Sequence, residues 1–240
     1  MLQNIKELYG YKLAGSDGDV GQVKDFYFDD KNWVIRYLVA DTGSWLQGRL
    51  VLLSPHAFGE LDGYEKTLHI NLRKKQIEES PSIEMHKPVS RQYEVEYYRY
   101  YGWPAYWNGG AMWGMGGYPV MLPPSQDEMA AHLCHHRDDK HLRSTLAVTG
   151  YHIHAVDGVI GHVTGFLVEP RSWAIGKMVV EAGHWYYGRE ILISPDKIDR
   201  ISYEDSSVFV NLTKADIQGT AEFEVARAGS QNPVTYNFTD

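Results

Sequence analysis

A short stretch near the middle of the chain carries the side chains best suited to bind a metal ion. It contains His132, Cys134, His135, His136 and His141. Imidazole and thiolate together form a zinc-compatible ligand set. If residues 126–136 are helical, His132 and His136 lie at i and i+4 on one face. We therefore predict His132 and His136 as candidate metal ligands, and the alternative is a solvated linker helix.

Three further histidines lie in the second half of the chain, on two predicted strands. His152 and His154 alternate along one strand and so point to the same face, while His162 lies on the neighbouring hairpin strand. Brought together, the three imidazoles would form a metal-binding or pH-responsive site. The alternative is that they are exposed polar strand residues.

The segment from Tyr93 to Pro124 is rich in Tyr, Trp, Met, Gly and Pro. Glycine and proline interrupt every potential regular run, whereas a disordered linker is depleted in aromatic residues. Its candidate interaction residues are Tyr97, Tyr98, Tyr101, Trp103, Trp107 and Trp113. Three interpretations stay open: these side chains complete the core of a neighbouring domain, form a self-association surface, or capture a ligand in an aromatic cage.

The sequence contains no familiar catalytic motif. Gly-x-Ser-x-Gly, the phosphate-binding Gly-x-x-x-x-Gly-Lys-Ser/Thr, His-Glu-x-x-His and the dinucleotide-binding fingerprint are all absent. The paired acids Glu60 and Asp62 lack a recognisable cleft that would raise a pKa. We therefore expect no enzymatic activity, no catalytic residues and no cofactor.

Composition narrows the class of partner. The 240 residues include 23 Lys plus Arg and 31 Asp plus Glu, giving a net charge of -8. This balance argues against general nucleic-acid binding, which draws on clustered positive charge. A single cysteine, Cys134, excludes an intramolecular disulfide, and the sequence shows neither a secretory signal nor a transmembrane segment. We expect a cytoplasmic protein, for which peripheral membrane association stays open.

A gap-free internal repeat organises the chain. Residues 10–77 match residues 150–217 at a constant offset of 140, and shared positions include Gly21/Gly161 and Trp33/Trp173. The repeat is longer than a solenoid unit of about 20 to 50 residues, so each copy is a small domain. The chain therefore holds two copies of one fold.

Each copy is predicted to consist of short, mainly antiparallel strands and a short helix. In the first copy we expect strands at 11–14, 20–29, 34–41, 49–53 and 67–71, followed by a helix near 74–79. In the second copy we expect strands at 151–154, 160–169, 174–181, 189–193 and 207–211, with a helix near 214–218. Asp-Gly pairs mark the first hairpin of each copy. Turn signals at this spacing predict a small barrel or sandwich.

The repeated arginines follow a glycine at the start of a strand. Arg49 and Arg189 are expected to form ion pairs with repeated carboxylates such as Asp17 and Asp157. Anion binding is the alternative.

Four stretches of the first copy resemble the PRC-barrel family. They are Gly10-Tyr11, residues 17–30, residues 33–40 and Leu53-Ser54-Pro55, and the second copy repeats their order. The family includes the extramembrane domain of the H subunit of purple bacterial photosynthetic reaction centres and the C-terminal domain of a ribosome-maturation factor. The resemblance implies a small antiparallel β-barrel that serves as a docking or regulatory module and has no common active site.

The sequence thus predicts a mainly β protein of two tandem PRC-barrels with short helices, related by pseudo-twofold symmetry. The expected domains are 1–96 and 144–228, separated by a linker at 97–143 and followed by a tail at 229–240. The two copies and the aromatic linker resemble bacterial tandem members of the family, which lack an assigned activity. The expected role is protein-protein docking or regulatory scaffolding, and the expected assembly is a homo-oligomer, a dimer. The alternatives are a small-molecule or metal binder and an accessory protein of membrane electron-transfer complexes.

Overall fold

The computed structural model describes residues 2–80, 97–103, 141–184 and 188–219. The chain divides into two compact units. The first unit comprises residues 1–147 together with 166–176, and the second comprises 148–165 and 177–240. The tip of one hairpin from the second repeat, residues 166–176, is therefore part of the first unit.

The first repeat begins with a short strand and a single helical turn, β1 (Gln3–Asn4) and α1 (Ile5–Leu8). Its sheet then contains β2 (Lys12–Gly15), β3 (Gly18–Asp29), β4 (Val34–Asp41), β5 (Leu50–Leu53), β6 (Phe58–Asp62) and β7 (Thr67–Ile70). Helix α2 (Lys74–Glu78) follows, and residues 97–101 form a further helical turn, α3.

The second repeat contains the same elements in the same order. They are β8 (Leu142–Ser144), α4 (Thr145–Val148), β9 (His152–Ala155), β10 (Gly158–Val168), β11 (Ile175–Ala182), β12 (Glu190–Ile193), β13 (Ile198–Ser202), β14 (Ser207–Val210) and α5 (214–219). The mainly β class with short helices is confirmed.

Strand order is also shared between the two sheets. The first sheet runs β5-β4-β3-β2-β7-β6, and the second runs β12-β11-β10-β9-β14-β13. Most neighbours are antiparallel, but β2 pairs with β7, and β9 with β14, in parallel. Strands β6 and β13 were not expected. Both contain acidic residues and form edge strands with an irregular register, which weakens the alternation of apolar and polar residues.

The structural repeat begins seven to eight residues before the sequence repeat, at Gln3 in the first copy and Leu142 in the second. Within the first unit, β1 pairs with residues 167 and 168, and β8 pairs with residues 27–29 of β3. Helices α1 and α4 also match at the offset of 140. Each repeat therefore contributes its leading strand to the long hairpin of the other repeat.

Aromatic side chains fill the region where the two hairpin tips meet inside the first unit. Trp173 stacks on Phe26 with ring centroids 5.8 Å apart and meets Phe58 edge-on at 4.8 Å. Backbone hydrogen bonds join equivalent positions, because Ile35 N donates to Trp173 O and Ile175 N donates to Trp33 O, at 2.8 and 2.7 Å. These reciprocal contacts explain why a tryptophan recurs at this position of the repeat.

Both tryptophans have a backbone conformation that is unusual for a bulky residue. The φ angles of Trp33 and Trp173 are 53° and 55°, in the left-handed region that non-glycine residues seldom occupy. The indole of Trp173 is only 4% exposed, and its burial offsets the energetic cost of this backbone conformation. The sharp turn thus carries an inward-pointing aromatic side chain at a position where the backbone conformation favours glycine.

A close backbone approach accounts for the shared Gly21 and Gly161. A Cβ atom at either position would lie 2.0 Å from a carbonyl oxygen, that of Asp41 or Glu181. Such a distance excludes any side chain without a shift of the backbone. These shared glycines are therefore explained by packing within the sheet.

Among the residues that the structure describes, no helix combines the length and apolar character needed to cross a bilayer.

Candidate interaction surface

The aromatic segment begins with two tyrosines that are buried in the first unit. Tyr97 and Tyr98 are 0% and 2% exposed and pack against Tyr37, Val39 and Leu52. Tyr37 meets both rings edge-on, with centroids 5.6 and 6.4 Å away. Helix α3 thus covers the outer face of β4 and β5.

The hydroxyl of Tyr97 binds the free edge of β5. It donates to Leu52 O at 2.8 Å and accepts from Ser54 N at 3.1 Å. Strand β5 ends the sheet, so alternate backbone groups point away from β4 and need another partner. One phenol hydroxyl satisfies both groups because it can donate and accept at once.

The following aromatic residues extend this cover toward solvent. Tyr101 and Trp103 are half-buried and stack with centroids 4.5 Å apart at an interplanar angle of 12°. The hydroxyls of Tyr100 and Tyr101 both donate to Gln76 O on α2, at 3.0 and 3.4 Å. Burial raises the pKa of Tyr101 to about 12. Desolvation lowers the pKa of His56, beside Trp103, to about 4.

The structure therefore brings together four of the six predicted interaction residues. Tyr97 and Tyr98 lie in the interior, whereas Tyr101 and Trp103 keep partly exposed rings. Trp107 and Trp113 lie outside the described residues, as do the predicted metal ligands His132 and His136. A role of this segment in contacts with another molecule stays a prediction.

In the described part of the second unit, the corresponding edge borders a groove. Residues 191–194 form one wall, Leu212 and Ile217 form the other, and Lys197 lies at the rim. We call this set the second-unit groove. Its volume is about 80 Å³, several times the space that one water molecule needs. Leu192 and Ser194 are half-buried, whereas the matching Leu52 and Ser54 are 1% and 0% exposed.

The repeated arginine and aspartate have different partners from those expected. Arg49 donates to Glu78 O and Ser80 O, at 3.0 and 2.7 Å. Asp17 accepts from Lys74 N at 2.8 Å, and Asp157 likewise accepts from Lys214 N. The predicted Arg49–Asp17 ion pair is wrong, because both side chains instead satisfy backbone groups at the ends of α2.

The histidines of the second half are distributed over the surface. His141 Nδ1 lies 2.8 Å from Asp30 Oδ1, and Arg143 Nε donates to the other oxygen of Asp30 at 2.7 Å. His152 and His162 lie directly opposite each other in the β9–β10 hairpin, and His154 stacks on Phe209. Within residues 2–80, 97–103, 141–184 and 188–219, no three His, Cys, Asp or Glu side chains are grouped to hold a metal ion.

A buried carboxylate that the sequence did not single out joins β3 to the start of the second repeat. Asp25 is 8% exposed and accepts from Ser144 Oγ at 2.5 Å, Thr145 Oγ1 at 3.0 Å and Leu146 N at 3.2 Å. Tyr9 OH and Thr145 Oγ1 share a further hydrogen bond of 2.8 Å. The equivalent of Asp25 is Gly165, so the repeat pattern gave no signal for this network.

Burial raises the pKa of Asp25, against the opposing effect of its hydrogen bonds. The folded state then holds the proton more tightly than the unfolded state, whose aspartate pKa is about 3.9. This contribution to stability is full below the unfolded pKa and is lost as pH rises through the folded pKa.

We therefore expect Asp25→Asn to be more stable than the wild type at pH 7, with the difference shrinking as pH falls toward about 4. Asp25→Ala should instead cost about 1–3 kcal/mol at pH 7, because the buried donors lose their acceptor. Urea unfolding of both variants from pH 4 to pH 8 measures these effects. A constant difference between Asp25→Asn and wild type at every pH would contradict the raised pKa.

Comparison with known proteins and protein families finds a match for part of the chain. Nothing among curated proteins matches it. Among models of protein families, the PRC-barrel domain matches residues 3–77.

Proposed function

We propose that this chain, whose residues 3–77 match the PRC-barrel domain, is a non-catalytic docking protein that binds a protein partner through its second unit. One observation carries this proposal. Equivalent sheet edges differ between the two units: that of the first is covered by Tyr97 and its neighbours, and that of the second forms the second-unit groove. Among the residues that the structure describes, aromatic side chains cover one edge and a groove lies beside the other, an arrangement that suits a scaffold.

The chemistry of the groove supports a protein ligand. Its walls are made mostly of Ile and Leu side chains, and β12 is the last strand of its sheet. Apolar walls beside an unpaired backbone edge favour a peptide segment, which supplies both apolar side chains and hydrogen-bonding groups.

The second repeat acts as a second PRC-barrel domain, since it shares strand order and both parallel pairings with the first. The protein works in the cytoplasm as a homodimer, and the half-exposed Tyr101 and Trp103 supply apolar surface for self-association.

Site-specific cross-linking tests the docking role in the native cell. A photoreactive amino acid replaces Lys197, at the rim of the groove, or Tyr203, which is 72% exposed on the same unit and serves as the control. We expect a discrete protein adduct from position 197 and none from position 203. The adduct mass also separates another protein from a second copy of this chain. Equal labelling from both positions, or none from 197, would overturn the docking role.

A further inference from the structure

We propose that His152, His162 and Glu181 bind a divalent transition-metal ion, zinc by preference, on one face of the second sheet. The three residues belong to the second unit and to three adjacent strands, β9, β10 and β11. They share no member with the second-unit groove, so metal binding here does not depend on the docking role.

The register of the second sheet places these side chains in one row. His152 lies directly opposite His162 in the β9–β10 pair, and Nε2 of His162 lies 3.7 Å from Oε2 of Glu181. The matching residues of the first sheet, Gln22 and Asp41, are also direct partners. Opposite residues of an antiparallel pair share a face, with Cβ atoms about 4.5–5.5 Å apart. One metal ion can therefore reach side chains of neighbouring strands along this row.

The separation between His162 and Glu181 suits a shared metal ion better than a direct hydrogen bond. At 3.7 Å, the imidazole nitrogen and the carboxylate oxygen are too far apart for a hydrogen bond. Two ligands of one tetrahedral zinc ion, each bound at about 2.0–2.1 Å, lie about 3.4 Å from each other. A small closing movement thus lets both atoms coordinate the same ion.

The next member of the row is a second carboxylate. Glu190 on β12 pairs directly with Glu181, and like charges directly opposite each other destabilise a sheet. A divalent cation beside Glu181 relieves this repulsion. The two carboxylates balance its two charges, and neutral imidazoles add none.

The first repeat carries a different set of side chains in the same row. At the offset of 140, its residues are Lys12, Gln22, Asp41 and Leu50. The pairing of the first residue with the second, and of the third with the fourth, is the same in both sheets. The second repeat thus keeps the backbone register and replaces an ammonium, an amide and an apolar side chain with two imidazoles and a carboxylate.

The chemistry of these side chains selects the ion. Imidazole binds zinc, copper, nickel and iron, and two imidazoles with one carboxylate are an established zinc ligand set. Magnesium and calcium instead prefer sites made of oxygen ligands. A site with His152 and His162 should therefore discriminate strongly between Zn²⁺ and Mg²⁺.

Side-chain contacts decide which histidines take part. His154 shares a face with His152, but its ring stacks on Phe209 with centroids 5.2 Å apart. Within the described residues, three such side chains do not already surround one point, so the exposed ring of His152 must rotate toward His162. Exposed side chains change rotamer in picoseconds to nanoseconds. The ring of His152 can therefore reach the ion readily.

Isothermal titration of the full-length chain with ZnCl₂ tests the site. The protein carries no affinity tag, and a background variant removes the other candidate ligands through His132→Ala, Cys134→Ser, His135→Ala and His136→Ala. We expect this background variant to bind one zinc ion per chain. Titration with MgCl₂ should show no comparable binding.

Substitutions copied from the first repeat locate the ion. His162→Gln and His152→Lys each introduce the residue that the matching strand already carries, so we expect both variants to fold. Each should weaken zinc binding by more than about tenfold, because loss of even an outer-sphere partner of a metal typically costs about 10- to 100-fold. Glu181→Gln should have the same effect, whereas His154→Ala should leave the affinity unchanged. Circular dichroism checks folding, and any one folded ligand variant is sufficient for the test.

Other results would contradict the zinc site. Zinc binding by the wild type but not by the background variant would place the ion at residues 132–136, and no binding by either would remove the site. Unchanged affinity in folded His162→Gln or Glu181→Gln would place the ion elsewhere. Weaker binding by His154→Ala would assign the ion to three histidines instead. Binding of Mg²⁺ as tightly as Zn²⁺ would show a carboxylate site without imidazole ligands.

Discussion

Replacing Trp173 with alanine is expected to lower the free energy of unfolding of the first unit by about 3–5 kcal/mol. The indole is 4% exposed and lies against Phe26 and Phe58, so its removal leaves a cavity beside two other buried or half-buried rings. The aromatic pair contacts are lost in addition to the buried area. Since Trp173 belongs to the second repeat, a large effect would show that the first unit depends on residues far along the chain.

Guanidinium unfolding followed by circular dichroism measures the total loss, and hydrogen exchange at β3 and β4 amides assigns it to the first unit. Trp173→Phe keeps one ring in the site and should lose less than the alanine variant. Tyr203→Ala, at a position 72% exposed, should stay within about 0.5 kcal/mol of wild type. A Trp173→Ala loss as small as that of Tyr203→Ala would contradict the core role of the indole.

Replacing Tyr97 with alanine is expected to cost a similar amount, about 3–5 kcal/mol. The side chain is fully buried against Tyr37 and Leu52, and its hydroxyl bonds two backbone groups of the β5 edge. Tyr97→Phe keeps the ring but leaves Leu52 O and Ser54 N without this partner. That smaller change should cost about 1–3 kcal/mol.

Tyr100 provides the matched control for the loss of a hydroxyl. Its ring is 41% exposed, and its hydroxyl donates to Gln76 O at 3.0 Å. Because water can replace that hydrogen bond, Tyr100→Phe should change stability by less than about 0.5 kcal/mol. Thermal and denaturant unfolding of Tyr97→Ala, Tyr97→Phe and Tyr100→Phe give the comparison. Equal stability of the two phenylalanine variants would show that the β5 edge does not depend on Tyr97.

The repeat and most strands could be predicted because their signals are local. Shared glycines and β-branched runs recur at the offset of 140, and each marks a turn or a buried strand. The leading strands at residues 3–4 and 142–144 could not be found in this way. Their pairing is set by backbone hydrogen bonds to a distant hairpin, which place little demand on side-chain identity.

The candidate surface could be predicted only in part. The density of tyrosine and tryptophan indicated a segment that packs against something, but sequence could not state that Tyr97 binds the edge of β5. No sequence pattern indicated the second-unit groove, because it becomes apparent only when the exposure of Leu192 and Ser194 is compared with that of the covered Leu52 and Ser54. Asp25 was missed for a related reason, because the side chains that donate to it, Ser144 and Thr145, lie 119 and 120 residues later in the chain.

The reciprocal pairing of leading strands has a consequence for biosynthesis. When the ribosome has released the segment that contains β2 to β7, the strand that completes β3 has not been made. Ser144 follows Asp25 by 119 positions, which takes roughly 6–24 s at about 5–20 residues per second. During that interval Asp25 and Phe26 lack their final neighbours, and closing so long a loop is entropically costly. The first unit can therefore complete its fold only after translation has passed Gly176, the last residue that the second repeat contributes to it.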